Sequence, residues 1–238
     1  MKLALLGHGA MGRLVEARAL ADGHEIGVVI TSRDAGRTAE ELADMLRGHD
    51  AAIDFSAADA VLRNVEACAR AGVTLIEGTT GWHEQLDAAR RLVATHGGSL
   101  VHGANFSVGV NLFYRVVEEA ARMLWGVGGY EAFIEEAHHS RKRDAPSGTA
   151  LKLRAVVAEA TRGQAVSVAS TRAGHIPGTH RVGFDSAADQ ITLTHTARSR
   201  EGFVEGALLA ARTLAGTPGF YEFAEVLDKI ISERGGDE

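Results

Sequence analysis

The polar and apolar positions of this chain fall into two rhythms. In the first half, short apolar runs alternate with helix-spaced segments. Lys2–Leu6 is an apolar run stopped by Gly7 and reads as a buried strand. Gly12–Ala21 places Leu14, Ala17 and Leu20 at helical spacing before Gly23. Strands follow at Glu25–Thr31, Ala51–Phe55, Val73–Glu77 and Ser99–His102, and helices at Thr38–Leu46, Ala58–Ala71 and Trp82–His96. Thr38 with Glu41 three residues later forms a capping-box signature. Strict alternation of this kind predicts parallel βαβ units.

After Gly109 the rhythm changes. Val110–Trp125 reads as a long helix, Tyr130–Ala137 as a strand, and Gly148–Thr161 as a helix with Ser147 or Thr149 near its start. Val166–Thr171, His180–Phe184 and Gln190–Thr196 are strand-like with no long helix between them, which predicts a mixed or mostly antiparallel sheet. Phe203–Ala215 and Phe220–Ser232 read as closing helices joined by Gly216–Gly219. The expected fold is α/β: a Rossmann-type doubly wound parallel sheet and a second α+β domain on a mixed sheet. The boundary is set near Ser107. Residues 1–107, completed by C-terminal helices within 200–238, form the dinucleotide-binding domain, and 108–199 the substrate-binding and oligomerisation domain.

Composition narrows the function. The 238 residues carry a formal net charge of −6 with no block of like charge, which argues against a nucleic-acid partner. No apolar run reaches spanning length, so no membrane partner is expected. Cys68 is the sole cysteine, so no intrachain disulfide can form; it reads as a small buried apolar side chain, in keeping with a cytoplasmic protein.

Three segments carry candidate chemistry. Gly7-His8-Gly9-Ala10-Met11-Gly12 matches G-x-G-x-x-G directly after the first strand and opens a helix. Gly7 permits the tight turn, Gly9 lets backbone approach a pyrophosphate, and Gly12 lets helix and sheet pack closely. The acidic residue that often bonds a ribose 2′-hydroxyl is replaced at the end of strand two by Thr31-Ser32-Arg33. Hydroxyls and a guanidinium suit a 2′-phosphate, so NADPH is expected over NADH; Asp34, one residue on, would restore NADH if the strand ended later. Gly78-Thr79-Thr80-Gly81 and Gly103-Ala104-Asn105-Phe106-Ser107 lie beyond the ends of strands four and five. Small residues there admit a nicotinamide ring and Phe106 offers it a face or edge, although both segments also read as plain turns with Asn105 as a cap.

The third segment is Glu136-Ala137-His138-His139-Ser140-Arg141-Lys142-Arg143-Asp144-Ala145-Pro146-Ser147-Gly148-Thr149. Ser147, Gly148 and Thr149 at a helix start can clamp a carboxylate. Lys142 supplies charge and a proton, and His138 or His139 can act as general acid. The expected substrate is a small anion. Adjacent histidines without further ligand spacing make a poor metal motif, so no metal is expected.

E-A-H-H-x-x-K-x-D-A-P-S-G-T closely resembles the signature of bacterial dihydrodipicolinate (4-hydroxy-tetrahydrodipicolinate) reductases of lysine and diaminopimelate biosynthesis. GHGAMG, the IDFS of Ile53–Ser56, GTTG, Ala104–Asn111 and HTARSREGFVEGALLAA match in order, so the resemblance spans nearly the whole chain. It implies His138 as proton donor and acceptor, Lys142 as proton donor beside it, and His139 as a substrate contact. Ser147, Gly148 and Thr149 become the substrate-carboxylate turn. Thr80 lies near both substrate and nicotinamide, and Gly78, Thr79, Thr80 and Gly103, Ala104, Asn105, Phe106 contact the cofactor. The implied chemistry is loss of the 4-hydroxyl as water, hydride transfer from NADPH or NADH to ring C4, and protonation of the neighbouring carbon of a small dicarboxylate. A cleft closing on the substrate would exclude water.

The resemblance also implies a homotetramer paired through second-domain sheets. The chain departs from the family at Thr31, where an acidic residue is common, and at Arg162–Ala165, a connector shorter than expected. Two other readings stand beside this one. One is a different NADP-dependent reductase of a small carboxylate, similar to aspartate or homoserine dehydrogenases. The other is a non-catalytic dinucleotide sensor, which would have no need of His138 and Lys142.

Overall fold

The computed structural model describes residues 1–235 and divides into two compact units, Met1–Val108 together with the chain from Glu201 onward, and Gly109–Arg200. The first unit is a six-stranded, all-parallel sheet in the order β10-β5-β4-β3-β1-β2. Its strands are β1 (Lys2–Leu6), β2 (Glu25–Ile30), β3 (Ala51–Asp54), β4 (Thr74–Glu77), β5 (Ser99–His102) and β10 (Gly219–Glu222). The helices are α1 (Ala10–Ala21), α2 (Ala39–Leu46), α3 (Val61–Ala71), α4 (Leu86–His96), α7 (Glu201–Leu214) and α8 (Phe223–Gly235).

Period-two alternation distributes the sheet's side chains between two cores. Leu3, Leu5, Ile53, Ile76 and Val101 face α1, α7 and α8, where Val15, Val204, Leu208 and Val226 meet them. Ala4, Leu6, Ala52, Leu75 and Leu100 face α2, α3 and α4, where Leu42, Val65 and Val93 meet them. Both faces are covered, which is why these strands read as continuous apolar runs. Cys68 is buried on the second face.

Several boundaries differ from the sequence reading, and three of the differences change how a segment is read. The segment Gly219–Glu222 is a strand that pairs parallel with β5 rather than the start of a helix, and α8 begins at Phe223. Four residues are too few to show a period, and Phe-Tyr is equally at home in either state. Strand β2 stops at Ile30, and Thr31 instead caps a short 3-10 turn at Ser32–Asp34. Helix α4 starts at Leu86 after a 3-10 turn at His83–Gln85, which leaves Trp82 outside it and buried. The Thr38–Glu41 capping box forms as expected.

The second unit is a four-stranded mixed sheet in the order β7-β6-β8-β9. It comprises β6 (Glu131–His138), β7 (Ser167–Arg172), β8 (Thr179–Asp185) and β9 (Gln190–Thr196). β6 runs parallel to β7 and antiparallel to β8. Helices α5 (Val108–Val127) and α6 (Gly148–Ala160) contribute Phe113, Val117, Leu153 and Val157 to a core shared with Ile134, Val182 and Phe184 of the sheet. β7 and β9 are mostly exposed, whereas every second residue of β6 is buried.

Candidate active site

In the first unit the strand order reverses between β1 and β3, the place where open α/β sheets receive ligands. Gly7 closes β1 with φ +88°, and a Cβ there would lie 2.6 Å from the Phe55 carbonyl oxygen. A Cβ on Gly12 would lie 2.2 Å from the Gly7 carbonyl oxygen. Both positions therefore require glycine, one for its dihedral and one for close packing. Gly9, the N-cap of α1, makes no side-chain cap bond, and a Cβ there would meet nothing within 4 Å. The helix thus opens on an uncapped first turn with room above it and no acidic residue, a cradle that fits a pyrophosphate. Ala10 starts α1, and Met11 packs against the core. His8 Nε2 lies 2.7 Å from Glu16 Oε2, and the Arg13 guanidinium donates to the His8 carbonyl. Neither contact was foreseen.

Beyond β2, Thr31 Oγ1 accepts from the Arg33 amide, and Asp34 Oδ2 accepts from the Thr31 amide. Asp34 also receives the Arg37 guanidinium at 2.9 Å. Its carboxyl is held below the ordinary range, first by the Thr31 amide and then by Arg37. Asp34 is therefore engaged as a local cap, while Ser32 and Arg33 are exposed.

The other two first-unit segments line one pocket. Thr79, Thr80, Gly81 and Trp82 face Gly103 and Ala104 across it. Thr80 is exposed there. Thr79 is bound into the scaffold: its amide donates to Glu77 Oε1, its hydroxyl to Asp54 Oδ1, and its carbonyl accepts from Trp82 Nε1. Gly78 packs against the Phe55 ring, which a Cβ would overlap. Asn105 Oδ1 accepts from the Ser107 amide ahead of α5, the capping reading of that residue.

Phe106 requires a correction. Its ring is 1% exposed and lies against Phe223 at a centroid distance of 4.8 Å. The sequence reading gave it a face to offer a nicotinamide; burial in the core leaves only its backbone for that segment.

In the second unit, β6 runs one residue further than expected and carries His138 at its end. Its inward face reads Ala132, Ile134, Glu136, His138, so a carboxylate and an imidazole share the buried side of one strand. His139 falls just past the strand and is half-buried. The chain then turns, the Lys142 amide donating to the His139 carbonyl, and Lys142 Nζ reaches Asp144 Oδ1 at 2.9 Å. Ser147 is the N-cap of α6, its hydroxyl accepting from the Ala150 amide. Gly148 is exposed, with nothing within 4 Å of a built Cβ. Thr149 is half-buried beside Tyr114 of α5. The first-turn amides of Gly148 and Thr149 have no intrahelical acceptor.

Glu136, Arg172 and His180 complete this cluster and were missed. Glu136 Oε1 accepts from the Ser147 amide at 3.0 Å, Ser170 Oγ at 2.7 Å and Arg172 at 2.7 Å. Burial alone would raise its carboxyl, but the bonds from Ser147, Arg172 and Ser170 outweigh it and bring it down to about 2. His180 is lowered to about 4, chiefly by burial and then by His138. His138 is lowered by burial, against which Glu136 pulls it up. The period of β6 would have revealed Glu136; Arg172 and His180 arrive from β7 and β8 through pairing that sequence spacing does not encode.

Ligand atoms of Glu136, His138 and His180 lie within 4.8 Å of one another, a donor set that zinc accepts. The Arg172 guanidinium on the same carboxylate works against a cation there.

The doubly wound sheet with its uncapped glycine turn defines the class: a Rossmann-type, dinucleotide-binding protein. Comparison with known proteins gives the family. Models described as "Dihydrodipicolinate reductase, N-terminus" and "Dihydrodipicolinate reductase, C-terminus" match residues 1–106 and 109–227. A 4-hydroxy-tetrahydrodipicolinate reductase from Christiangramia forsetii is 34% identical over 242 residues, covering 97% of this chain and 99% of the relative. One from Archaeoglobus fulgidus is 34% identical over 261 residues, covering 96% and 100%. The chain belongs to the dihydrodipicolinate reductase family. Its fold also matches a dipicolinate-bound dihydrodipicolinate reductase from Paenisporosarcina sp. TG-14 with a TM-score of 0.78 at 19% identity, covering 93% of this chain and 97% of that one.

Proposed function

We propose that this protein reduces 4-hydroxy-tetrahydrodipicolinate to tetrahydrodipicolinate in lysine and diaminopimelate biosynthesis. The observation that carries the reading is the second-unit cluster. An acid–base histidine, a lysine and a helix N-terminus sit within one loop connection, in a chain of this family. When bound, the reduced nicotinamide supplies the hydride. The Gly7–Gly12 turn receives the dinucleotide's pyrophosphate, and the Thr79–Trp82 and Gly103–Ala104 segments form its ring-end pocket.

On the substrate side, the amides of Gly148 and Thr149 hold a carboxylate at the start of α6, with Ser147 fixing the turn and His139 beside it. His138 and Lys142 supply the proton. An anion bound there would favour the charged imidazole, offsetting the burial that lowers it. It would also compete with Asp144 for Lys142.

NADPH is the preferred reductant in this reading. Asp34, the carboxylate that would favour NADH, is engaged by the Thr31 amide and Arg37, while Arg33 stays exposed. A homotetramer formed through second-unit sheets is part of the same proposal; the exposed positions of β7 and β9 are the surface such pairing would cover. No described helix is long and apolar enough to cross a membrane, and a cytoplasmic location goes with the pathway.

A coupled assay tests the function. A synthase generates the substrate from pyruvate and aspartate semialdehyde, and loss of reduced-nicotinamide absorbance is followed with NADPH and NADH. Synthase-dependent oxidation, faster with NADPH, is expected. No oxidation by folded protein that binds both cofactors would overturn the reaction and return the sensor reading.

A further inference from the structure

Glu136 is fully buried, yet it takes no part in the mechanism above. Its two oxygens do different work. Oε1 accepts three hydrogen bonds, from the Ser147 amide, Ser170 and Arg172. Oε2 accepts none among the described residues, and neither does His138 Nδ1 have a partner there, although both atoms are buried. They lie 3.2 Å apart. Their alignment falls short of a hydrogen bond, and a small rotation of the imidazole would let one proton on Nδ1 satisfy both atoms. His180 Nε2 is 3.7 Å from the same oxygen but lies closer, at 3.1 Å, to Ser147 Oγ.

The other edge of the His138 ring faces Gly178. A Cβ there would come within 3.2 Å of Nε2, and Gly178 has φ +142°, a dihedral that side-chain-bearing residues rarely adopt. The ring thus has its Nδ1 edge toward a carboxylate and its Nε2 edge toward a position kept small.

We propose that Glu136 is the positioning residue of the reaction: it fixes His138 as the Nδ1–H tautomer, leaves Nε2 to exchange the proton with substrate, and ties that ring to the Ser147 cap of the carboxylate clamp. The proton balance follows. The imidazolium carries hydrogen on both nitrogens; release from Nε2 leaves the neutral Nδ1–H form, whose remaining hydrogen faces Glu136 Oε2, and solvent returns the proton after product leaves. Glu136 and His138 are two apart on β6, so strand alternation puts both on one face. Ser147 is eleven residues on, across the turn, and the Glu136 carboxylate holds its amide. One buried carboxylate therefore sets the distance between acid and clamp.

The charged groups facing His138 are Glu136 on its own strand, Lys142 and Asp144 on the following loop, Arg172 on β7 and His180 on β8. Glu136 and Asp144 favour the imidazolium, while Lys142 and Arg172 oppose it, and His180 is mostly neutral near pH 7 because burial lowers it. Removing the Glu136 charge therefore lowers the His138 pKa.

The kinetic arm rests on the proposed reaction; the spectroscopic arm does not. Nitrogen-15 chemical shifts of His138 in the wild-type protein report its neutral tautomer. Nδ1–H is expected, and Nε2–H with a bare Nδ1 would overturn the proposal without any variant. Glu136→Gln keeps an acceptor for Ser147 and removes the charge. It is expected to lower kcat at least about tenfold, to move the basic limb of the pH profile to lower pH, and to change KM and nicotinamide binding much less. Glu136→Asp should recover part of kcat. Wild-type kcat and an unmoved profile in Glu136→Gln would refute the role. Absence of turnover in the wild type itself would instead fault the assigned reaction, and the tautomer measurement would still decide this inference.

Discussion

Asp54 and Glu77 are register partners at the carboxyl ends of β3 and β4, and both side chains are fully buried beneath the Thr79 turn. Asp54 is stabilised by the Ser56 amide and Asn64, both at 2.7 Å. Glu77 Oε1 holds the Thr79 amide, while its Oε2 accepts no hydrogen bond among the described residues. Burial, then the neighbouring Asp54, pushes the Glu77 carboxyl well above its ordinary value of 4.5.

A group whose folded pKa is raised binds more protons folded than unfolded. Its contribution is fully present below the unfolded value near 4.5 and is lost as pH rises through the folded value. Glu77→Gln keeps the acceptor for Thr79 and removes the titration. Its melting temperature should exceed that of the wild type, by a margin that widens from pH 5 to pH 8. One proton accounts for up to about 1.4 kcal/mol per pH unit. Parallel melts at the two pH values check this. Glu136 has the opposite sign: lowered to about 2, it stabilises the fold above its unfolded value and loses that contribution as pH falls.

His138→Gln and Lys142→Ala should each cut kcat by about 10²–10⁴, the span typical of a positioned acid or base. Nicotinamide affinity, read by fluorescence titration, should stay near that of the wild type. Wild-type turnover in both variants would remove the two residues from the mechanism.

Arg33→Ala should raise KM for NADPH by about tenfold, equivalent to one charge-assisted hydrogen bond, with little change for NADH. Initial rates with the two reductants measure it, and equal effects on both would show that Arg33 does not meet the 2′-phosphate.

Gly12→Ala places a methyl 2.2 Å from the Gly7 carbonyl oxygen. Because that neighbour is backbone, α1 must shift. We expect dinucleotide affinity to fall more than tenfold and stability by about 1–3 kcal/mol, both readable from a cofactor-dependent thermal melt. An unchanged affinity would mean the turn is not the pyrophosphate site.

Much of the fold was legible because each first-unit strand is buried on both faces and announces itself as an apolar run. Segment β10 escaped because Gly219–Glu222 is short and only half-buried at the sheet edge, and pairing with β5, not its own pattern, makes it a strand. Phe106 was misread for a related reason. A phenylalanine beside a ligand-type turn looks the same in sequence whether it faces a ring or a core, and only α7 and α8 decide that it meets Phe223.

The sequence by itself determined what depends on near neighbours along the chain. The glycine turn, the Thr38 box, the Ser147 cap and the placing of His138, Lys142 and Gly148 on one loop connection all follow from local dihedrals and hydrogen bonds. Only the tertiary structure decided which groups share a buried charge. Arg172 and His180 reach Glu136 because β7 and β8 flank β6, and Asp54 meets Glu77 because β3 and β4 pair in register. Those meetings are set by strand pairing across separations of 23, 36 and 44 residues, distances over which no local pattern of residue types records who lies opposite whom.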